Sequence, residues 1–174
     1  MTRFATDKVT HGYLPTYLRI AAELGPQALV CEVGVWKGDG LDMFQALFPQ
    51  GIVAGADISP DSIWPQGTTR IVCGQDDPAL PARLARISPQ WNLIVDDASH
   101  DGKLTAETFR LLWPLVGPGG FYVIEDWMVG FGGWAAHEDS TMLGTVHGLL
   151  PLLARPGEVA DITLSYGLCV LRKR

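Results

Sequence analysis

Glu32-Val33-Gly34-Val35-Trp36-Lys37-Gly38-Asp39-Gly40 follows an almost wholly apolar run, residues 28–33, and leads into a helical pattern over residues 39–48. A short apolar run ending in glycines suits a strand covered on both faces of a parallel sheet. Glycines in the turn let a ligand approach the backbone closely. The pattern repeats downstream as strand 52–57, short strand 70–73, helix 78–87, strand 91–96, helix 103–115 and strand 120–125. Upstream, Leu14, Leu18, Ala21 and Ala22 share one face of a helix over residues 14–24, which Gly25-Pro26 ends. Strands alternating with helices predict a doubly wound, Rossmann-like α/β sheet with right-handed crossovers. The tail breaks the alternation: residues 159–164 and 168–172 flank Ser165-Tyr166-Gly167 and predict an antiparallel hairpin closing a mostly parallel sheet.

The chain has 174 residues, 47% hydrophobic and 18% charged, enough for a real core and too few for two full-sized domains, so residues 1–174 are expected to form a single domain. A net charge of −6 argues against nucleic acid as a partner, whose binders carry a basic face, and for a small or neutral substrate. Cys31, Cys73 and Cys169 lie in apolar stretches, are odd in number and lack C-x-x-C spacing, which reads as buried thiols rather than zinc ligands or disulfides. Residues 1–24 carry interspersed acids and bases without a long apolar run, so neither a signal peptide nor a membrane partner is expected, and the cytoplasm is the expected compartment.

Ligands of open α/β sheets lie beyond the carboxyl ends of the strands, near the point where strand order reverses. A dinucleotide fingerprint needs G-x-G-x-x-G, and counting from Gly34 places Trp36 and Asp39 where the second and third glycines belong, leaving no room for a pyrophosphate. No G-x-x-x-x-G-K-[ST] string occurs, which excludes a P-loop. A nucleoside without phosphates remains. Asp57, 19 residues beyond Gly38 at the end of the second strand, can accept hydrogen bonds from both ribose hydroxyls. The competing readings are a tight turn without ligand for Gly34 and Gly38, and a turn cap for Asp57. After the third strand, Gln75 is placed to reach an adenine edge, with Asp77 as a helix cap and Trp64 or Ile63 against the ring face or in plain packing.

Two further strand ends carry acids: Asp96-Asp97-Ala98-Ser99-His100 and Glu125-Asp126-Trp127. Neighbouring strands would bring these carboxylates to one rim, where their repulsion is relieved by a hard divalent cation such as Mg²⁺ on Asp97, Glu125 and Asp126. A metal-bound hydroxyl is acidified, and His100 is the side chain to take its proton, with Asp97 beside it. Asp96 is counted with the cofactor-binding set, although a strand-end aspartate often only bonds backbone N–H groups; Ser99 and Asp101 are good N-cap types.

The turn from Glu32 with Asp57 resembles the first two motifs of the class I S-adenosylmethionine-dependent methyltransferases. Adding Thr6-Asp7-Lys8, His11-Gly12-Tyr13, the run Ile94 to His100 and the run Pro118 to Asp126, the chain resembles over residues 6–127 the metal-dependent sugar O-methyltransferases of antibiotic biosynthesis, the mycinamicin and tetracenomycin types. The resemblance implies S-adenosylmethionine held by Asp7, Glu32, Gly34, Gly38, Asp57, Gln75 and Asp96, Mg²⁺ on Asp97, Glu125 and Asp126, His100 as general base, and a sugar hydroxyl of a glycosylated natural product as acceptor. It also implies that the Asp7 region folds over the cofactor. Ala98 stands where the family usually has Gly, and the extra N-terminal domain of some members is expected to be missing. Residues 127–139, rich in Gly and aromatics, read as a lid over an apolar glycoside or as a contact between copies in a homo-oligomer, with His137 on the surface. The competing functions are an NAD-dependent oxidoreductase and a non-catalytic cofactor-binding relic of the fold.

Overall fold

The computed structural model describes residues 4–129 and 141–174. The elements run α1 (Leu14–Leu24), β1 (Val30–Val33), α2 (Asp39–Leu47), β2 (Val53–Asp57), β3 (Thr69–Val72), α3 (Leu80–Ala85), β4 (Trp91–Asp96), α4 (Gly102–Leu112), β5 (Val116–Glu125), α5 (Met142–Leu149), β6 (Val159–Leu164) and β7 (Leu168–Lys173). Among the described residues the sheet order is β3-β2-β1-β4-β5-β7-β6, with β1 to β5 parallel and β7 antiparallel to both β5 and β6. The order reverses between β1 and β4, which places the ligand crevice there.

Helices cover both faces. On one, Tyr17 and Ile20 of α1 and Leu41 and Phe44 of α2 pack on Val30, Leu93, Val95, Phe121 and Val123. On the other, Leu80 and Leu84 of α3, Phe109 and Leu112 of α4 and Met142 and Val146 of α5 pack on Val33, Ile94, Tyr122 and Ile124. The three cysteines are buried free thiols. Among the described residues no helix is long and apolar enough to cross a membrane.

Two differences from the sequence expectation have local causes. β5 begins at Val116, because Val116 already pairs with Trp91 and the ladder shifts register before resuming at Leu93 and Phe121. α5 has no sequence signature because Gly144 and Gly148 interrupt a helix that is apolar nearly all round and so shows no polar stripe.

Candidate active site

Side-chain parity builds the site. Glu32 lies opposite Val95 in the parallel β1/β4 pair, and Asp96 lies opposite Ile124 in β4/β5, so the next step sets Asp97 against Glu125. Glu32, Asp97 and Glu125 therefore share the sheet face covered by α1 and α2. Buried carboxylates need a cation. Lys8, only 1% exposed, reaches in from the segment before α1 and sets its Nζ 2.5 Å from Asp97 Oδ2, 2.9 Å from Glu125 Oε1 and 3.1 Å from Glu32 Oε1. Tyr17 also donates to Glu125 Oε1, and Tyr13 donates to Asp126 Oδ1.

The electrostatics follow. Burial would lower the Lys8 pKa, but Glu32, Glu125 and Asp97 outweigh it and hold the ammonium well above the ordinary lysine value. Burial pushes Glu32 up to about 7 against the pull of Lys8. Burial, helped by the Asp97 charge and opposed by Lys8, pushes Glu125 up to about 8. Asp97 is raised mainly by burial, with Lys8 working against it.

Beyond this cluster, Asp97, His100 and Asp126 offer ligand atoms that all lie within 4.8 Å of one another. His100 Nε2 is 3.8 Å from both Asp97 Oδ1 and Asp126 Oδ2. His100 and Asp126 both hold left-handed backbone, with φ of 54° and 53°. Such strain in non-glycine residues is maintained only where the surroundings enforce it, and it clusters at functional sites.

Two cavities meet here. One, of about 590 Å³, is bordered by Asp7, Lys8, Glu32, Asp97, His100 and Asp126. The other, of about 400 Å³, is bordered by Asp57, Ile58, Gln75, Asp76, Ser99 and Leu104. Gly34, Trp36, Asp97 and Ala98 border both.

The glycine turn has a different physical basis from the one its sequence suggests. A Cβ on Gly34 (φ 93°) would sit 2.0 Å from the Asp97 carbonyl oxygen, and one on Gly38 would sit 2.5 Å from the Ile63 carbonyl oxygen. Contact with neighbouring protein backbone therefore demands glycine at both positions. Gly34→Ala is expected to cost about 2–3 kcal/mol, from left-handed strain plus overpacking, read as a lower midpoint in urea unfolding at unchanged slope.

Several expected site residues are placed differently. Asp96 borders neither cavity: it shares the opposite sheet face with Ile94, is buried, and receives the Tyr122 hydroxyl at 3.4 Å, so it is a core carboxylate that burial raises to about 8. Glu125 stands outside the Asp97–His100–Asp126 group, because Lys8 and Tyr17 hold its Oε1. Glu32 likewise faces Lys8, and its Oε1 lies so close to Gly40 that a Cβ there would be 2.3 Å away.

Asp57 Oδ2 accepts from the Val35 and Trp36 amides and its Oδ1 from the Ser59 amide; these bonds overcome burial and hold it below the usual carboxylate range. Gln75 donates to Thr108 Oγ1 in α4 at 2.9 Å and accepts from the Ser99 amide at 3.1 Å, tying its own loop to α4 and to the loop before it at the wall of the smaller cavity. Asp7 borders the larger cavity.

Trp36 (φ 49°) is 66% exposed. Its bulk points outward, so the case against a dinucleotide rests on the missing glycines rather than on a filled turn. Ile58, rather than Ile63 or Trp64, borders the smaller cavity, together with Val33, Ala56 and Leu104. Asp101 caps α4 through the Lys103 and Leu104 amides. Of the lid expected over residues 127–139, residues 130–139, His137 included, lie outside the described residues.

Sequence reasoning missed Lys8 and Tyr17 as holders of the acids, and Tyr13 as the partner of Asp126. The available signal was Glu32 and Glu125 themselves: a charged residue inside an otherwise apolar strand requires a buried cation from elsewhere in the chain.

No family model matches the chain. Demethylmacrocin O-methyltransferase of Streptomyces fradiae is 34% identical over 169 residues, 87% of this chain and 43% of that protein. The 8-demethyl-8-(2-methoxy-alpha-L-rhamnosyl)-tetracenomycin-C 3'-O-methyltransferase of Streptomyces olivaceus is 34% identical over 165 residues, 85% and 42% of the two. Among solved structures, the MycE methyltransferase of the mycinamycin biosynthetic pathway, in complex with Mg, SAH and mycinamycin VI, superposes with a TM-score of 0.79 at 28% identity, covering 93% of this chain and 50% of that one. The chain thus spans less than half the length of the curated relatives it matches. Its seven-stranded mixed sheet is a Rossmann-like methyltransferase fold.

Proposed function

This chain's homologues are macrolide and tetracenomycin sugar O-methyltransferases, and from that premise we propose that these residues form the catalytic domain of an S-adenosylmethionine- and Mg²⁺-dependent O-methyltransferase acting on a sugar hydroxyl of a glycosylated natural product. The observation that carries this reading is the convergence of Asp97, His100 and Asp126 where the two cavities meet.

The residues fit the groups they would hold. Mg²⁺ is bound through one or two carboxylates with several waters retained. Asp97 and Asp126 supply that pair, and the hard ion's preference for oxygen leaves the His100 imidazole free. In the smaller cavity, Ile58 offers an apolar wall and Asp57, Asp76 and Gln75 offer polar atoms, as a nucleoside requires. When bound, the sulfonium supplies an electrophilic methyl and the cation lowers the pKa of a coordinated hydroxyl.

The chain's own residues do the rest. Asp97 and Asp126 set the position of the acceptor oxygen, and His100 Nε2 takes its proton. The wall shared by the cavities, Gly34 and Ala98, lets acceptor and methyl donor come into line. Glu125 and Glu32 act behind this layer, as the buried counter-charges of Lys8. A cytoplasmic enzyme meeting its acceptor after glycosylation is consistent with this chemistry.

Calorimetric titration with S-adenosylmethionine, followed by methyl transfer to a panel of glycosides with and without chelator, tests the reading. Saturable binding and chelator-sensitive turnover are expected. No binding at millimolar S-adenosylmethionine, or full turnover in chelator, contradicts it.

A further inference from the structure

The carboxylates of the site are each held by one oxygen from behind. Asp97 gives Oδ2 to Lys8 and turns Oδ1 toward His100; Asp126 gives Oδ1 to Tyr13 and turns Oδ2 toward His100. Tyr13 is 1% exposed and immediately precedes α1. Its hydroxyl is seated against the turn between β6 and β7: a Cβ on Gly167 (φ 75°) would lie 1.9 Å from the Tyr13 hydroxyl oxygen and 2.6 Å from the ring carbon bearing it. The same turn grips the residue after Asp126, since Trp127 Nε1 donates to the Ser165 carbonyl at 2.9 Å and the Trp127 amide to the Gly167 carbonyl at 3.4 Å. Neither Tyr13, Ser165 nor Gly167 borders either cavity.

The geometry points to the β6–β7 turn as a positioning device for the metal site, with Gly167 seating Tyr13 and Tyr13 fixing which Asp126 oxygen faces the cation. This rests on the metal reading of the proposed function and extends it to residues in the C-terminal hairpin. The physical reason is that Asp126, in left-handed backbone, has one carboxylate to serve two directions. An outer partner that occupies one oxygen fixes the orientation of the other. A hairpin is a stiffer support for that partner than a loop.

The test is Mn²⁺ binding to the full chain followed by electron paramagnetic resonance, with S-adenosylmethionine affinity measured in parallel by calorimetry. Tyr13→Phe keeps the ring and removes the donor; Gly167→Ala puts a methyl against the Tyr13 hydroxyl and displaces it. Both are expected to weaken Mn²⁺ binding about 10–100-fold with S-adenosylmethionine affinity unchanged. The double variant should lose little more than either single one, because both act through one contact.

Wild-type Mn²⁺ affinity in Tyr13→Phe would overturn the inference while leaving the metal reading intact. An equal loss of S-adenosylmethionine affinity would overturn it as general loosening. If Gly167→Ala does not fold, Tyr13→Phe alone decides. Absence of Mn²⁺ binding by the wild type would remove the metal reading, and this inference with it.

Discussion

Lys8→Met is expected to cost about 3–5 kcal/mol of folding stability at pH 8, the range for removing one partner of a buried ion cluster. The ammonium is the cation that faces Glu32, Asp97 and Glu125 together, and Met fills its stem volume without replacing the charge. The loss should depend on pH with a definite sign. Glu32 is raised from 4.5 to about 7 in the fold, so its contribution is complete below about 4.5 and is lost as pH rises to 7. Without Lys8 the main influence lowering that pKa is gone, so the variant holds its proton to higher pH and loses more stability on the way. At pH 5, Glu32 and Glu125, raised to about 7 and about 8, are largely protonated in both proteins, and the gap narrows. Urea unfolding at pH 5 and pH 8 checks this; a loss below 1 kcal/mol at pH 8, or an equal loss at both, contradicts the account.

Asp97→Asn is expected to lower turnover about 10³-fold, because a metal Lewis acid supplies several kcal/mol to a developing alkoxide and each 1.4 kcal/mol is tenfold in rate. Asn keeps the shape of the side chain, and its carbonyl can still accept from Lys8, so S-adenosylmethionine binding should survive. The residual rate should no longer respond to chelator. Near-wild-type turnover by the variant would remove Asp97 from the chemistry.

The alternation of strands and helices was legible because parallel strands buried on both faces read as apolar runs, and the tail hairpin because its turn residues break that alternation. α5 was not, since its glycines and all-round apolarity leave no periodic stripe. At the site, the strand-end acids were legible, and so was their meeting on one rim, because strands four and five were expected to be neighbours, as β4 and β5 are. That Glu32 shares the face of Asp97 and Glu125, all three around one lysine, was not, since it depends on β1 joining β4 in this register, which no local pattern encodes.

Asp96 illustrates the same gap. One residue of parity separates it from Asp97 and sends it into the opposite core, beside Tyr122. The Lys8–Asp97 contact joins residues 89 apart in sequence, so only the folded chain reveals it. Gly34 was legible as a required glycine, but the atom requiring it is the Asp97 carbonyl oxygen.

Whether Asp97 and Asp126 hold a divalent cation beside His100 is decided by titrating Mn²⁺ into wild type and Asp97→Asn and following the free-ion resonance. One saturable site is expected in the wild type, emptied by chelator and by competing Mg²⁺, and no such site in Asp97→Asn. Equal Mn²⁺ binding by the two proteins would contradict the assignment.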